Sequence, residues 1–357
     1  MATTLLDVTL REGEQRPGVE YGADRKVAAA RELDALGVEY VQVGFPVAGD
    51  ATAAACDRLE VDAATTGICR ALPGDVEAAL SAGVDVVDVF APTSDRQLDV
   101  VLGESRDAMA SAVGEAVDTA ADHGAEVHLS AMDGFRTEPR HLDALFGAVD
   151  AAYYTVADTV GARTPAGVVD LLGSLSTPAE ALGVHFHDDL GVATANALAA
   201  TAAGAGKVDV SVAGLGERAG NTALESFVAA ATVGAEDVTV DVETESLIPA
   251  AEAVLSALGE SVAPSAPLLG ADAFAHESGL HTAAMLADPA TFESFDPARF
   301  GGERRLVFGS ATGRGAACRL LERAGREPTE KAVAALLDAL DGEERDLAAA
   351  VELASEV

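Results

Sequence analysis

Apolar, β-branched runs alternate with amphipathic, alanine-rich stretches along the first two thirds of the chain. The stretches predict helices, for example over Asp24–Leu36 and Ser105–His123, and several end at a glycine such as Gly37, Gly83 or Gly124. Strand followed by helix, eight times over, predicts a parallel sheet closed into a (β/α)8 TIM barrel. The predicted strands lie near Leu5–Leu10, Tyr40–Phe45, Thr66–Ala71, Val84–Ala91, Glu126–Ala131, Ala152–Asp158, Val184–Asp188 and Val208–Ala213.

An open, doubly wound sheet is the alternative to a barrel. That fold should carry a glycine-rich phosphate loop directly after an early strand. The first predicted strand runs instead into the charged segment Arg11-Glu-Gly-Glu-Gln. The pattern therefore favours the barrel.

The alternation of strands and helices stops after about Val242. A predicted helix over Glu245–Leu258 leads to a proline-bearing linker that starts at Val262. A histidine-containing segment at Phe274–Leu286 and further helices follow. We therefore predict two domains: a catalytic barrel over residues 1–242, and a linker with a small C-terminal helical subdomain over residues 243–357.

Length and composition agree with a cytoplasmic enzyme. The 357 residues accommodate a barrel of ~250 residues and an appendage. No apolar run approaches the ~18 residues of a membrane helix, and the N-terminus lacks the pattern of a secretory signal. Cys56, Cys69 and Cys318 lie far apart and form no C-x-x-C pair, which predicts free thiols in a reducing compartment.

The chain is strongly acidic, with 59 Asp and Glu against 23 Lys and Arg and a net charge of −36. Such a field argues against nucleic acid or an anionic membrane as a partner. The carboxylates are spread through well-patterned helices and do not form an acidic tail. This distribution fits a halophilic enzyme, in which dense counterions screen the self-repulsion.

The strongest local signal is His185-Phe-His187-Asp-Asp-Leu-Gly, at the end of the seventh predicted strand. Side chains two apart on a strand share a face, so both imidazoles can face the barrel mouth. Two imidazoles on one face form half of a typical divalent-metal site. Two unrelated histidines are the alternative, but the position among carboxylates in a chain with seven histidines favours a metal.

Two further segments follow predicted strands and could complete the site. Arg11, Glu12 and their charged neighbours end the first strand; a carboxylate there could bind a metal, and an arginine could stabilise an oxyanion. Gly214-Leu-Gly-Glu-Arg-Ala-Gly-Asn221 follows the eighth strand and offers close backbone approach and an amide oxygen ligand. A solvated charged loop and a plain glycine-rich turn are the respective alternatives.

The appendage contains His276-Glu-Ser-Gly-Leu-His281, which resembles a metalloprotease helix superficially. Histidines five apart on a helix lie ~140° apart around it, so they cannot share one metal. One of them is better interpreted as a general acid/base, and we favour His281. The sequence contains no G-x-S-x-G elbow or P-loop, which argues against serine hydrolases and P-loop NTPases.

Together these segments resemble the acetyl-CoA-dependent 2-oxo-acid synthases, the isopropylmalate, homocitrate and citramalate synthases. The family motifs D-x-T-L-R-[DE]-G-E-Q, H-x-H-[ND]-D-x-G, G-[IL]-G-E-R-A-G-N and H-E-[SA]-G-[IL]-H occur in this order at Asp7–Gln15, His185–Gly191, Gly214–Asn221 and His276–His281. The resemblance covers about residues 5–320. It implies a TIM barrel and a homodimer in which the helical subdomain lies over the partner's barrel mouth.

The resemblance also implies the roles of individual residues. Glu12, His185 and His187 would hold a divalent metal (Mg²⁺, Mn²⁺ or Zn²⁺), with Asn221 at or near its coordination shell. Arg11 would bind substrate and stabilise charge on its keto oxygen as the acetyl-CoA enolate attacks. Asp88, Ser130 and Thr159 would contact the 2-oxo acid, and His281 would act in acid–base catalysis.

The chain departs from the family pattern at several positions. Met132 stands where the family commonly has the glutamate of S-x-E-D, a residue implicated in proton transfer. His128 stands where homocitrate synthases place the arginine for a distal carboxylate, and Phe292 replaces a tyrosine. Gly309–Arg314 replaces the isopropylmalate-type G-K-H-S-G-R. The departures leave the predicted metal ligands in place and alter the acid–base groups and the substrate pocket.

The substrate clues conflict. Glu12, Asp88 and Phe135-Arg136 look homocitrate-like, whereas Gly44-Phe-Pro and the Gly216–Asn221 segment look isopropylmalate-like. Without the distal-carboxylate arginine, 2-oxoglutarate is not favoured over a monocarboxylic 2-oxo acid such as 2-oxoisovalerate or pyruvate. The rival functions are a lyase on the same barrel, of the 2-oxo-acid aldolase or hydroxymethylglutaryl-CoA lyase type, and a catalytically impaired paralogue that serves as a sensor or partner subunit.

The acidic composition yields a first testable prediction. We expect the free energy of unfolding to fall when salt is removed, because the carboxylates then repel one another without screening. Urea unfolding in molar KCl and in dilute buffer measures the difference. Equal stability under the two conditions would rule out the halophilic adaptation.

Overall fold

Eight parallel strands form a closed barrel in this computed structural model, which describes residues 2–235 and 238–357. Each strand pairs with the next, and the last strand pairs with the first, Asp7 lying opposite Val210. The strands are β1 Thr4–Asp7, β2 Tyr40–Gly44, β3 Ala64–Arg70, β4 Val86–Pro92, β5 Glu126–Met132, β6 Tyr153–Asp158, β7 Leu182–Phe186 and β8 Lys207–Val210. The predicted TIM barrel is confirmed.

Helices connect the strands and surround the barrel. They are α1 Thr9–Glu12, α2 Ala23–Leu36, α3 Asp50–Cys56, α4 Pro73–Ser81, α5 Asp95–Gln97, α6 Arg106–Asp122, α7 Pro139–Phe146, α8 Pro165–Leu172, α9 Ala193–Ala202, α10 Leu224–Gly234 and α11 Leu247–Leu258. Two of the predicted helix limits agree with the structure. Gly37 follows the last residue of α2 with a φ of 93°, and the Ser105 hydroxyl caps α6 by accepting a hydrogen bond from the Ala108 amide.

The first strand is shorter than predicted. It ends at Asp7, because the chain turns at Val8 and the Glu12 amide donates to the Val8 carbonyl at 2.8 Å. The turn α1 is held by Lys26, a fully buried lysine whose ammonium donates to the carbonyls of Leu10 and Val43. The apolar run to Leu10 therefore combines a strand with a helical turn that brings Glu12 to the barrel mouth.

The chain divides into two compact units between Ser261 and Val262. Helix α11, which lies beyond the predicted barrel boundary at residue 242, belongs to the first unit. It packs on α2, and the Arg25 guanidinium donates to the Leu258 carbonyl at its end. Glu260, just after α11, accepts two hydrogen bonds from Arg16.

The second unit is mainly helical. Strands β9 Ala275–His276 and β10 Arg305–Leu306 pair in parallel, and Phe308, Leu320 and Leu336 are among the fully buried side chains of an apolar core. Its helices are α12 Gly279–Met285, α13 Arg314–Arg323, α14 Glu330–Leu340 and α15 Leu347–Glu356. Within the ranges that the structure describes, no helix of either unit has the length and apolar character needed to cross a membrane.

The barrel interior is polar. Along β5, the alternation of side chains turns Glu126, His128 and Ser130 to one face. His128 is fully buried, and its ring meets those of Tyr40 and Tyr153 edge to face. Its Nε2 lies 3.0 Å from Glu126 Oε1. His128 thus lies in a polar layer of the barrel interior, one inward-facing position before Ser130.

Two buried carboxyl groups, Asp7 and Glu225, lie behind the β1 turn. Asp7 accepts from the amide and hydroxyl of Thr9, and Glu225 accepts from the Ala213 amide at 2.9 Å. Burial raises the pKa of each to about 7, and the charge of Glu225 adds to the rise at Asp7. Both groups therefore bind a proton more tightly in the folded state than in the unfolded chain.

We expect Glu225→Gln to flatten the pH dependence of stability. In the unfolded chain this carboxyl ionises near its ordinary pKa of 4.5, so the native protein loses stability as pH rises through the folded pKa of about 7. Between about pH 5 and about pH 8, the variant should lose less unfolding free energy than the wild type, by on the order of 2 kcal/mol. Urea titrations at constant KCl measure this, with Glu115→Gln on the exposed face of α6 as control. Parallel profiles for Glu225→Gln and the wild type would contradict the assignment.

Candidate active site

Glu12, His185 and His187 converge at the C-terminal end of the barrel. Glu12 ends α1, His185 lies on β7, and His187 follows that strand in a bridge with Asn221. All three are buried, and one ligand atom of each lies within 4.8 Å of the others. The structure thus brings together the three residues that the sequence resemblance marks as metal ligands.

The orientation of His185 is fixed from both sides. Its Nδ1 lies 3.1 Å from the Asp209 carboxylate, and its Nε2 lies 3.3 Å from Glu12 Oε1. Asp209 in turn accepts from the buried Lys207 ammonium at 2.8 Å. A carboxylate behind a histidine is a common arrangement at metal sites, since it fixes the ring and its tautomer.

The charges around this cluster are mutually dependent. Burial opposes the ionisation of Asp209, but Lys207 and His185 outweigh it and lower the pKa of Asp209 to about 2. Burial would lower the pKa of His185, yet Asp209 and Glu12 raise that pKa to about 9. Burial and the charge of His185 lower the pKa of His187 to about 4. His187 is therefore a neutral imidazole at neutral pH, the form that binds metals.

Asn221 completes the donor set. Its Nδ2 donates to the Phe186 carbonyl and lies 3.2 Å from His185 Nε2, whereas its buried Oδ1 has no hydrogen-bond partner among the described residues. The same holds for the Nδ1 atom of His187. Gly216 is required here, because a Cβ at that position would lie 1.8 Å from Asn221 Oδ1. Two imidazoles and a carboxylate, with Asn221 beside them, fit a divalent cation of the Mg²⁺, Mn²⁺ or Zn²⁺ kind.

A hydrogen-bonded chain crosses the barrel mouth beside this cluster. Arg11 contacts Glu12 and donates through Nε to the Gln42 side chain at 2.6 Å. Gln42 donates to one oxygen of Asp88 at 3.2 Å, and Ser130 donates to the other at 2.8 Å. Arg11, Asp88 and Ser130, all predicted to contact substrate, are thereby held in one network.

Thr159 follows β6, the strand that pairs with β5. Its hydroxyl oxygen accepts from the Asp133 amide at 2.8 Å. Asp133 has a φ of 60° and accepts two hydrogen bonds from Arg136, both at 2.7 Å. Arg218 donates to the Thr159 carbonyl and to both carboxylate oxygens of Asp189, which connects the glycine-rich segment to the end of β6.

A cavity of about 230 Å³ lies between these groups. Seven predicted site residues line it, and Asn221 lies behind them: Arg11, Glu12, Asp88, Ser130, Thr159, His185 and His187. Met132 is also in its wall, at the position where the family commonly has glutamate.

The remaining predicted residue, His281, belongs to the second unit. It lies in α12, whereas His276 lies in β9, so the two do not share a helix. The ring of Phe292 stacks on His281 with a centroid distance of 4.0 Å. Phe292 thus replaces the family's tyrosine in direct contact with the predicted acid/base, whose role stays a prediction.

Sequence reasoning missed Gln42, Lys207 and Asp209. Each is a polar residue within a short apolar strand, and each shares its strand's inward face with the site. The sequence does contain a signal for them. A buried polar side chain needs a hydrogen-bond partner, and a polar side chain that faces the barrel interior has its partner there.

A TIM barrel with Glu12, His185 and His187 clustered at the C-terminal ends of its strands defines the class of this protein as a barrel enzyme with a candidate divalent-metal site. Residues 2–254 match the HMGL-like family model, and residues 268–343 match the homocitrate synthase post-HMGL domain-like model. The chain belongs to the HMGL-like family, within the group of isopropylmalate, homocitrate and citramalate synthases.

Its curated relatives carry synthase names. The chain is 40% identical to a probable 2-isopropylmalate synthase of Methanopyrus kandleri over 92% of its own length and 67% of the relative's. It is 39% identical to a homocitrate synthase AksA of the same organism, over 93% of this chain and 85% of the relative. These relatives are named for different products, 2-isopropylmalate and homocitrate.

The similar solved structures support the fold. A hydroxymethylglutaryl-CoA lyase of Bacillus subtilis superposes with a TM-score of 0.64 at 23% identity, over 73% of this chain and 95% of the lyase. The lyase of Pseudomonas aeruginosa gives the same TM-score at 24% identity, over 73% and 94% of the two chains. At these identities the likeness concerns the barrel and not the reaction.

The site geometry predicts distinct losses of metal affinity. Asp209→Asn should weaken Mn²⁺ binding by ~10–100-fold, the usual effect of losing a group that orients a ligand. His187→Ala removes a ligand and should weaken it further. Titration of the protein with Mn²⁺, followed by the electron paramagnetic resonance of the free ion, measures both. His123→Ala, at an exposed histidine after α6, should bind Mn²⁺ like the wild type; unchanged affinity in His187→Ala would refute the site.

Proposed function

We propose that the chain is an acyltransferase that joins acetyl-CoA to a 2-oxo acid in a Claisen-type condensation and releases CoA. The observation that carries the proposal is one cavity that holds both the Glu12–His185–His187 cluster and the Arg11–Gln42–Asp88–Ser130 network. The synthase names of the relatives support the same reaction class.

Glu12, His185 and His187 would hold the divalent cation, with Asn221 beside them. When bound, such a cation supplies Lewis-acid polarisation of a carbonyl oxygen. The protein's own contribution is the alignment of these donors, since Asp209 fixes His185 and the close approach of Gly216 fixes Asn221. These supports make the site rigid before any substrate enters.

Arg11 and Thr159 bind and orient the oxo acid. The Gln42 contact fixes the Arg11 guanidinium at the cavity wall, where it stabilises negative charge that develops on the keto oxygen. Because the Thr159 oxygen accepts from the Asp133 amide, its hydroxyl proton is free to donate to a substrate carboxylate. Ser130 donates to Asp88, and its side chain lies in the wall of the same cavity.

The reaction needs a base that takes a proton from the acetyl methyl group. The resulting carbanion attacks the keto carbon, the keto oxygen takes up a proton, and water then hydrolyses the thioester to a carboxylate and free CoA. Met132 cannot move a proton, so we assign acid–base chemistry to His281. We further propose a homodimer and a cytoplasmic location for the enzyme.

Free-thiol release from acetyl-CoA tests the proposal. The assay uses the whole chain in molar KCl with Mn²⁺ or Mg²⁺, and the panel contains 2-oxoisovalerate, pyruvate, 2-oxobutyrate and 2-oxoglutarate. Arg11→Gln should lower kcat by ~10²-fold or more, as removal of one oxyanion donor does. Arg140→Gln, at an exposed arginine of α7, should leave kcat unchanged.

The outcomes separate the candidate functions. Oxo-acid-dependent thiol release that is lost in Arg11→Gln supports the synthase. Silence with these four oxo acids and with longer straight-chain 2-oxo acids, from folded protein that binds Mn²⁺, would contradict the synthase and favour a paralogue that binds without turnover. Cleavage of hydroxyacyl substrates without added acetyl-CoA would instead establish a lyase.

A further inference from the structure

A second cavity, of about 420 Å³, adjoins the site cavity. It lies between the C-terminal ends of β3 and β4 and the helix α6. Phe90 and Met132 line both cavities, so these two side chains form the boundary between them. A molecule bound at Arg11 and His185 can therefore reach the second cavity by passing between Phe90 and Met132.

The second cavity has apolar walls. Leu72, Pro92, Met109 and Ala112 contribute carbon surface between β3 and α6, and Leu72, Val101 and Leu102 on the outer side are partly exposed to solvent. Of the charged side chains at its edge, Glu104 is exposed to solvent. A charged ligand group buried here would lack a compensating partner, whereas an alkyl group gains free energy from burial.

Arg70 is the cation at the far edge. Its Nε and one terminal nitrogen donate to the two carboxylate oxygens of Asp75, at 2.6 and 2.9 Å. The guanidinium charge is thus already compensated, and the pair is about half exposed on the arginine side. Because Asp75 already pairs with Arg70, the second carboxylate of a dicarboxylic oxo acid would find no uncompensated cation at this edge.

Met132 makes the boundary passable for an alkyl chain. Its side chain is unbranched, has three rotatable bonds and carries no charge, so it can shift without leaving an unpaired polar group. A carboxylate in its place would have to be desolvated between two cavities whenever an apolar chain lay beside it. The residue at position 132 therefore controls which substrate side chains can extend from the site cavity into the second cavity.

We propose that the 2-oxo acid substrate carries an uncharged alkyl side chain longer than that of 2-oxoisovalerate. Its keto-acid head lies in the site cavity, and its tail passes between Phe90 and Met132 into the second cavity. This inference rests on the proposed function, whose substrate it specifies.

A homologous series of 2-oxo acids tests the inference: 2-oxobutyrate, 2-oxopentanoate, 2-oxohexanoate and 2-oxooctanoate. We expect kcat/KM to rise about fourfold for each methylene that enters the second cavity, the factor equivalent to ~0.8 kcal/mol per buried CH₂. Ala112→Phe places a ring in that cavity and should lower the ratio of kcat/KM for 2-oxooctanoate to that for 2-oxobutyrate by about tenfold or more. Ala110→Phe, at a half-buried alanine of α6 outside the cavity wall, should keep the wild-type ratio.

Two outcomes would contradict the inference about the substrate but leave the proposed synthase function intact. One is turnover of short oxo acids with kcat/KM that is flat or falls along the series. The other is a rise in the KM for acetyl-CoA in Ala112→Phe with an unchanged chain-length ratio, which would assign the cavity to the acyl-CoA arm. If no oxo acid is turned over, the proposed function fails, and the inference is then tested by calorimetric binding of the same series to Mn²⁺-loaded protein. Affinity that grows with chain length supports the inference, and equal affinity refutes it.

Discussion

A buried line of ionisable side chains is the constraint on which the candidate site depends. Lys207, Asp209, His185, Glu12 and Arg11 follow one another across the barrel mouth, each in contact with the next. Taking any of these groups out of water is costly unless an opposite charge adjoins it. Removal of one member therefore leaves its neighbours uncompensated, which ties the position of every metal-ligating side chain in the line to all the others.

Closure of the barrel is what makes this line possible. Lys207 and Asp209 belong to β8, His185 to β7, and Glu12 and Arg11 to the turn after β1. Strand β8 pairs with both β7 and β1, so the first and last strands lie side by side. In an open sheet of the same sequence, β1 and β8 would be distant edges, and Glu12 could not reach His185. The fold and the site are thus two consequences of one topology.

The sequence predicted those parts of the structure that rest on local pattern. The period of two marked His185 and His187, and glycine or serine at helix ends marked the limits of α2 and α6. It could not place the end of β1, because the turn depends on Lys26, which bonds the Leu10 carbonyl from a different element. Asp209 was hidden for a related reason: its partner His185 is 24 residues away, and only strand pairing brings the two together.

Position 132 connects the chemistry of the proposed reaction with the size of its substrate. A glutamate there could move a proton, but its charge would lie between the site cavity and an apolar one and would oppose an alkyl tail. Methionine removes both effects at once. An enzyme with Met132 must therefore draw its acid–base group from elsewhere, and His281, stacked on Phe292 in the second unit, is the group that we propose. The single replacement of glutamate by methionine at position 132 then both removes the carboxylate and admits a longer apolar substrate.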